Sequence, residues 1–384
     1  MKRRKRYWIL GALVTGLLVL RLFFFELHEI RGVSMWPGVN PTGGSEWVLV
    51  GKWGEPDVGE LGIFRAPDGE TVLKRVVAKA GQTVLIRGGD LLVDSRIPPR
   101  TPQQILDTAC PLWNLGDLQF ARIRNREGWY DPLGRLALKP VHGRLGISDD
   151  GKFLGVEPED GRAELRIPAK SFRDDHLASS GRWVRGQHVV RDLILTFSLA
   201  KAPPGTSIRW TQAMRTVSSV QQVLVLRVDA TGVDIRQEPG FAGRYDGDLA
   251  DVRFRWILVD DRSRLQILDR HEERLIQTLP NTENGAARQR LTDPVECYLT
   301  CLTEGASVIL GALDIQRDIH YTPQPADGPG LKEPLPLGPG QFYVLGDNSP
   351  ESRDSRFWGP LDRSSYVGRP QILVWPWRRA FESP

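Results

Sequence analysis

Three short segments of this chain hold residue types that could carry out hydrolytic chemistry. The first is Gly32-Val33-Ser34-Met35-Trp36-Pro37. The second is Val72-Leu73-Lys74-Arg75-Val76-Val77, followed by Gly81-Gln82-Thr83-Val84. The third runs Gly346-Asp347-Asn348-Ser349-Pro350-Glu351-Ser352-Arg353-Asp354-Ser355-Arg356-Phe357-Trp358-Gly359. A serine hydroxyl is a poor nucleophile without a base, and all six histidines lie outside these segments. A lysine can serve as base once neutral, which requires its pKa to fall from about 10.4 toward roughly 7–8. Burial among apolar neighbours does this by disfavouring the ammonium. Lys74 stands between Leu73 and Val76-Val77 in a strand-like run. In a strand Lys74 and Arg75 face opposite sides, so one can be buried while the other is solvated or ion-paired. Arginine could not replace Lys74, because guanidinium keeps its proton. Singly, each segment has a plain structural reading: a turn, a solvated strand edge, or an Asp354–Arg356 ion pair on one strand face. Their order after an apolar span gives them joint weight.

The elements that must position these residues are mainly strands. Trp47–Val50, Gly62–Phe64, Val72–Val77, Thr83–Ile86 and Leu91–Val93 are short β-prone runs between Gly, Pro and Asp turns. Gly88-Gly89-Asp90 reads as a hairpin turn. A long middle region follows, with further runs at Leu193–Leu199, Val223–Val228, Val252–Val259, Leu265–Leu268 and Val308–Leu310. The alternation of Val252-Arg253-Phe254-Arg255-Trp256 is that of a half-buried strand. Regular short strands with turn signals suggest a β-sandwich at about residues 186–322, while residues 101–185 carry weaker signals and join the same insert. Residues 323–340, rich in Pro and Gly, read as a linker or a string of turns. Gln341–Leu345 and Gln371–Val374 are again strand-like.

The N-terminus bears on compartment. Residues 2–6 are all Lys or Arg, and Tyr7–Phe25 is apolar except for Arg21. As a helix this run spans about 30 Å, enough for a bilayer core, and Arg21 can snorkel to the interface. The basic start places the N-terminus in the cytoplasm and the bulk of the chain outside. No small-x-small site follows, so the span reads as an uncleaved anchor rather than a removed signal. Net charge is +4, with five positive residues in the first six positions. The remainder is nearly neutral, which argues against nucleic acid as a partner. Three cysteines, Cys110, Cys297 and Cys301, lack a second Cys/His pair at zinc spacing and read as buried thiols. No cofactor or metal is implied.

The three segments resemble the signature boxes of bacterial type I signal peptidases, the Ser-Lys membrane proteases, over roughly residues 1–95 and 340–380. The resemblance implies that Ser34 attacks the scissile carbonyl and that Lys74 takes its proton. It implies that Ser352 orients the lysine amine, that Asp354 and Arg356 brace the active-site strands, and that Asp347-Asn348 shape the adjoining turn. The Ser34 N–H would be one oxyanion donor. Gly32 stands where many members have a second, hydroxyl donor, and Gly38, Gln82 and Ala78-Lys79-Ala80 also depart from the usual pattern. Family substrates carry small residues at the first and third positions before the cut, so Met35, Val72 and Leu73 are candidates for shallow substrate pockets. Seven of the twelve tryptophans fall outside the insert. Indoles favour the membrane interface, although core packing accounts equally well for any single one.

The expected architecture is therefore mainly β. A basic cytoplasmic N-terminus (1–6) and a transmembrane helix (7–27) precede a signal-peptidase-type catalytic domain in two parts (28–95 and 337–384). A large insert (96–336) separates them. Its later strands, with Val259–Leu265 and a closing Ile319-His320-Tyr321-Thr322, faintly resemble a laminin-G-like jelly roll. Such sandwiches often bind sugars, so a glycan or protein ligand is open to the insert, although fold does not establish function. The expected partners are signal peptides of exported preproteins and the lipid bilayer of the cell (inner) membrane, crossed once. Two other readings stand beside this one. A self-cleaving Ser-Lys protease of the repressor type would need a DNA-binding domain and no anchor. A membrane-tethered binding protein would have an inactive protease region, against which the intact Ser34, Lys74 and Ser352 argue.

Overall fold

A computed structural model describes residues 24–40, 44–114, 119–123, 126–130, 137–167, 172–214, 221–238, 242–249, 252–260, 262–269, 273–280, 295–303 and 306–379. The chain forms two compact units. One comprises Met1–Arg100, His176–Val184 and Ile319–Pro384; the other comprises Thr101–Asp175 and Arg185–Asp318.

The first unit is built on six early strands: β1 (Phe25–Arg31), β2 (Ser45–Gly51), β3 (Leu61–Arg65), β4 (Thr71–Lys79), β5 (Thr83–Arg87) and β6 (Asp90–Val93). Three late strands complete a seven-stranded sheet. Tyr366–Trp375 inserts between β2 and β3, Gln341–Leu345 pairs with β4, and Leu361–Asp362 forms the far edge. Every pairing in it is antiparallel. β5 and β6 pair as a hairpin with Arg87 opposite Asp90. Gly88 and Gly89 both take positive φ, at 62° and 94°, as a two-residue turn of this type demands. β4 contributes to several apolar clusters. Leu73 packs with Met35, Val48, Ile63 and Leu373, and Val76 with Phe64, Phe342 and Val344.

The segment 323–340 belongs to this unit and is strapped along it. Leu335–Pro336 pairs with β5, Ile86 N donates to Gly330 O at 2.7 Å, and Tyr343 Oη donates to Pro329 O at 2.6 Å. Ile319 and Tyr321 also pack here, with Val77, Ala78 and Leu345. The closing Ile319–Thr322 run thus lies in the same unit as the three motif segments rather than in the sandwich, and the second unit is shorter than the insert expected at 96–336.

The predicted span at 7–27, with the basic residues 1–6, lies outside the described residues up to residue 23. Its last three residues, Phe25–Leu27, are strand rather than helix, because β1 pairs along its length with β2. Among the described residues, no helix is long and apolar enough to cross a membrane.

The second unit is a sandwich of two antiparallel sheets. One runs Ala242–Asp246, Gly232–Glu238, Gln221–Val228, Ser207–Met214, Val295–Leu302, Arg162–Ile167, Ala137–His142, Arg126–Tyr130, Gln119–Ile123. The other runs Arg144–Ile147, Phe153–Glu157, Val308–Arg317, Leu193–Lys201, Arg253–Val259, Arg262–Leu268, Glu273–Pro280, with Cys110–Asn114 added on Val308–Arg317. Phe197, Trp210, Phe254 and Leu299 share the core between them. The sandwich therefore starts well before residue 186. Arg162–Ile167 and Phe153–Glu157 are interior strands, and their short runs with Arg, Glu and Gly dilute the apolar signal. The outer-facing Ile194 and Ile257 are covered by Ile105, on a short helix, Pro102–Leu106, that begins with a Thr101/Gln104 capping box. Cys110 and Cys301 are buried, Cys297 is half-buried, and all three are free thiols.

Candidate active site

Ser34 lies in the turn between β1 and β2. Its flanks are anchored while its hydroxyl stays reachable: Val33 and Met35 are buried and Ser34 is half-buried. The turn opens at Gly32 with φ 80°, a left-handed conformation that glycine adopts without steric cost. It closes on Asn40, whose Nδ2 donates to Gly32 O and Gly44 O, and whose N donates to Glu46 Oε2.

Lys74, on β4, is 3% exposed. Its Nζ lies 2.8 Å from Ser34 Oγ. Burial is the main cause that lowers its pKa from the ordinary 10.5 to about 8. The Asp354 carboxylate pulls it back up, the Arg356 guanidinium pushes it down, and Asp347 pulls it up again. Arg75, the next residue along the strand, has the opposite environment. Its Nε and Nη2 grip Asp347 in a fork at 2.9 and 2.7 Å, and Nη1 donates to Gly59 O at 2.6 Å.

The third segment supplies the brace. Asp354 and Arg356 are both fully buried. Arg356 Nε and Nη2 donate to the two oxygens of Asp354 at 2.8 Å each. Asp354 Oδ2 also accepts from Gly346 N at 3.0 Å. Arg356 reaches further, to Ser349 O and to Thr322 O and Oγ1. These bonds give the buried ions the partners that such burial requires. Gly346 is needed for close approach. A Cβ there would lie 2.2 Å from Ser352 Oγ and 2.6 Å from Ser34 O.

Ser352 stands apart from the role that the resemblance implies. Its Oγ is buried and has no hydrogen-bond partner among the described residues, while Lys74 Nζ is directed to Ser34. The three pocket candidates are not gathered on one surface either. Met35 and Leu73 are buried in one core cluster, whereas Val72 packs against the other, as strand alternation dictates.

The structure adds contributors and contacts that the motif segments do not specify. Thr322 and Ser349 join the Arg356 network from outside and inside the third segment; Thr322 N donates to Ser349 Oγ at 2.8 Å. Asn348 binds the backbone on both sides of the serine: its N donates to Ser34 O and its Nδ2 to Val33 O, each at 3.0 Å. A small hairpin at His176–Val184, within the stretch that the sequence resolves least, also belongs to this unit.

The family described as signal peptidase, peptidase S26, matches residues 4–106 and 314–375. Those segments hold Ser34, Lys74 and the whole Asp347–Arg356 stretch. A "Signal peptidase I" of Leptolyngbya laminosa is 30% identical over 110 residues, 29% of this chain and 51% of that protein; the chain thus spans about half the length of this curated relative. Among solved structures, a Bacillus subtilis protein of unknown function with a galectin-like fold is 13% identical, covering 55% of this chain and 98% of that one, at a TM-score of 0.30. Crh5 transglycosylase in complex with NAG is 11% identical, covering 69% and 98%, at a TM-score of 0.32. The family match and the curated relative bear out the resemblance of this chain to the bacterial type I signal peptidases.

Proposed function

We propose that the chain is a membrane-bound serine endopeptidase that removes signal peptides from exported preproteins through a Ser34–Lys74 dyad. The observation that carries this reading is the 2.8 Å contact between Lys74 Nζ and Ser34 Oγ at a lysine whose burial lowers its pKa to about 8. Neutral Lys74 accepts the Ser34 proton as Oγ adds to the scissile carbonyl. The tetrahedral oxyanion forms against the Ser34 N–H. The Lys74 ammonium then protonates the departing amine, leaving an acyl-enzyme on Ser34. Water, deprotonated by Lys74, hydrolyses the ester and regenerates the serine. The Asp354–Arg356 pair holds the strand and turn in register and takes no proton itself.

Exposed aromatic side chains support the membrane part of the reading. Trp47 and Trp375 are cross-strand partners, Trp377 meets Trp375 edge to face at 5.9 Å, and all three are exposed. Exposed indoles grouped in this way suit a headgroup interface. The anchor at 7–27 and the extracytoplasmic placement of the catalytic unit belong to the same proposal.

Cleavage of a preprotein by the detergent-solubilised chain tests it. Ser34→Ala and Lys74→Ala should each abolish cleavage in folded protein, and Lys74→Arg should fail as well. The wild-type rate should rise with pH through a midpoint near 8, as Lys74 sheds its proton. Full activity in Lys74→Arg would sink the dyad.

A further inference from the structure

Asn348 and the hairpin His176–Val184 together control one peptide plane. The Val33 carbonyl and the Ser34 N–H are the two ends of the same planar trans unit and point in opposite directions. Holding Val33 O therefore sets the direction of the Ser34 N–H. Val33 O receives Asn348 Nδ2 at 3.0 Å and Trp36 N at 3.0 Å. The other Asn348 amide hydrogen goes to Leu177 O at 2.8 Å. Asn348 is 1% exposed, so its amide cannot turn without breaking two buried bonds, a loss of the full desolvation penalty of each group.

Leu177 belongs to the hairpin, which is docked at two further points. Ser179 donates to Glu351 Oε2 from N at 3.1 Å and from Oγ at 2.7 Å. The Trp183 ring stands edge-on to Trp36, with centroids 5.2 Å apart and planes at 88°. The hairpin closes on itself through Ala178 N to Arg182 O and Gly181 N to Ala178 O, both at 2.8 Å. It thus grips the turn that carries Asn348 and Glu351, and also the turn that carries Ser34. Gly32 offers no hydroxyl, so the aim of the Ser34 N–H carries more of the oxyanion stabilisation than it would beside a second donor.

We propose that the hairpin His176–Val184, through Leu177 O on Asn348 and Trp183 on Trp36, is a positioning element that aims the Ser34 N–H at the developing oxyanion. The inference rests on Ser34 being the nucleophile. It would make the segment between the two halves of the catalytic unit a part of the catalytic apparatus as well as an appendage.

The test uses the full chain in detergent with a preprotein substrate, with rates normalised to the folded fraction from thermal unfolding. Asn348→Ala should lower kcat on the order of 100–1000-fold, as loss of an oriented oxyanion donor does. KM should stay within about twofold, as for an interaction made in the transition state. The pH midpoint should stay where the wild type has it, because Lys74 is untouched. Trp183→Ala should lower kcat by about tenfold with the same KM and midpoint, on the scale of an aromatic pair, and Trp183→Phe should restore most of the loss. Trp183→Ala carries the test alone should Asn348→Ala fail to fold. Wild-type kcat in Trp183→Ala overturns the proposal, as does a rise confined to KM, which would make the hairpin a wall of the substrate groove. Ser34→Ala run in parallel separates the two readings. If it still cleaves, the nucleophile assignment falls. If it is dead while Trp183→Ala and Asn348→Ala keep wild-type kcat, only the role of the hairpin falls.

Discussion

Both units bury charged side chains, Arg264, Arg317 and Asp175 among those of the second, but what surrounds their apolar cores differs. In the first, Lys74, Asp354 and Arg356 are all at most 3% exposed. The sandwich core between Phe197, Trp210 and Phe254 is apolar, and beside it runs a neutral chain in which Trp256 Nε1 donates to Ser263 Oγ, and Ser263 Oγ to Gln237 Oε1. The first unit shows what buried charge does near a buried lysine. Asp354 alone would hold the Lys74 proton on, and Arg356 alone would drive it off. Joined in a fork, they oppose each other at Lys74, so desolvation is left as the largest effect on its pKa. The Asp354–Arg356 pair thus leaves the Lys74 pKa mainly to burial.

Breaking the brace is the largest expected effect. Asp354→Asn leaves Arg356 without its countercharge and should cost about 3–5 kcal/mol in urea unfolding, with cleavage lost. A loss under about 1 kcal/mol would mean that the remaining Thr322 and Ser349 bonds suffice, and the contrast with the sandwich would weaken. Phe254→Ala in the sandwich should cost a similar amount, about 3–5 kcal/mol, but should leave the pH midpoint of cleavage unmoved in the molecules that stay folded. A shifted midpoint would show that the lysine depends on the sandwich core.

Lys74 itself sharpens the comparison from the other side. Its proton is held less tightly folded, with a pKa of about 8, than unfolded, with an ordinary 10.5. At neutral pH burial of the ammonium therefore costs about 3 kcal/mol. That penalty is complete below pH 8, shrinks as pH rises, and vanishes above 10.5, so stability should climb with pH across that window. Lys74→Met should remove the penalty and stabilise the protein at pH 7 by about 1–3 kcal/mol, while abolishing cleavage. The same variant should flatten the pH dependence of stability between 8 and 10.5. An equal slope in wild type and Lys74→Met would mean that another group titrates there.

This site was legible where local sequence carries its own constraint. Lys74 beside Arg75 on a strand forces one inward and one outward, and the structure has one buried and the other paired with Asp347. Gly88-Gly89 reads as a turn because both positions take positive φ. Legibility failed where the partner is distant in sequence. Nothing in Ile319-His320-Tyr321-Thr322 says that its threonine meets Arg356, and strand-like composition drew it toward the sandwich. The hairpin at 176–184 has two-residue strands, too short for any period to show. The early sandwich strands were missed for a related reason. In Arg162–Ile167 the buried Ala163, Leu165 and Ile167 alternate with Arg162, Glu164 and Arg166, the same strand signal as at Val252–Trp256, but an isolated one in a stretch whose neighbouring runs are weak.

The smallest expected effect tests whether the neutral network of the sandwich is as dispensable as the comparison implies. Ser263 is 1% exposed; its Oγ accepts from Trp256 Nε1 at 2.9 Å and donates to Gln237 Oε1 at 2.6 Å. Ser263→Ala leaves an indole N–H and an amide oxygen without this partner. Each such group costs roughly 1–3 kcal/mol when wholly unsatisfied. The sandwich already tolerates one comparable group, because Trp210 Nε1 is buried with no partner among the described residues. Gln237 also keeps its bond from Nε2 to Gln222 Oε1 at 3.3 Å. The loss should therefore fall at the low end for two groups, about 2 kcal/mol in urea unfolding, with cleavage unchanged. Trp256→Phe in the same background removes the stranded donor and should recover part of that loss, a coupling that a double-mutant cycle reads directly. A cost above about 3 kcal/mol, or no coupling between the two positions, would show that the neutral chain braces its unit as firmly as the buried ions brace theirs.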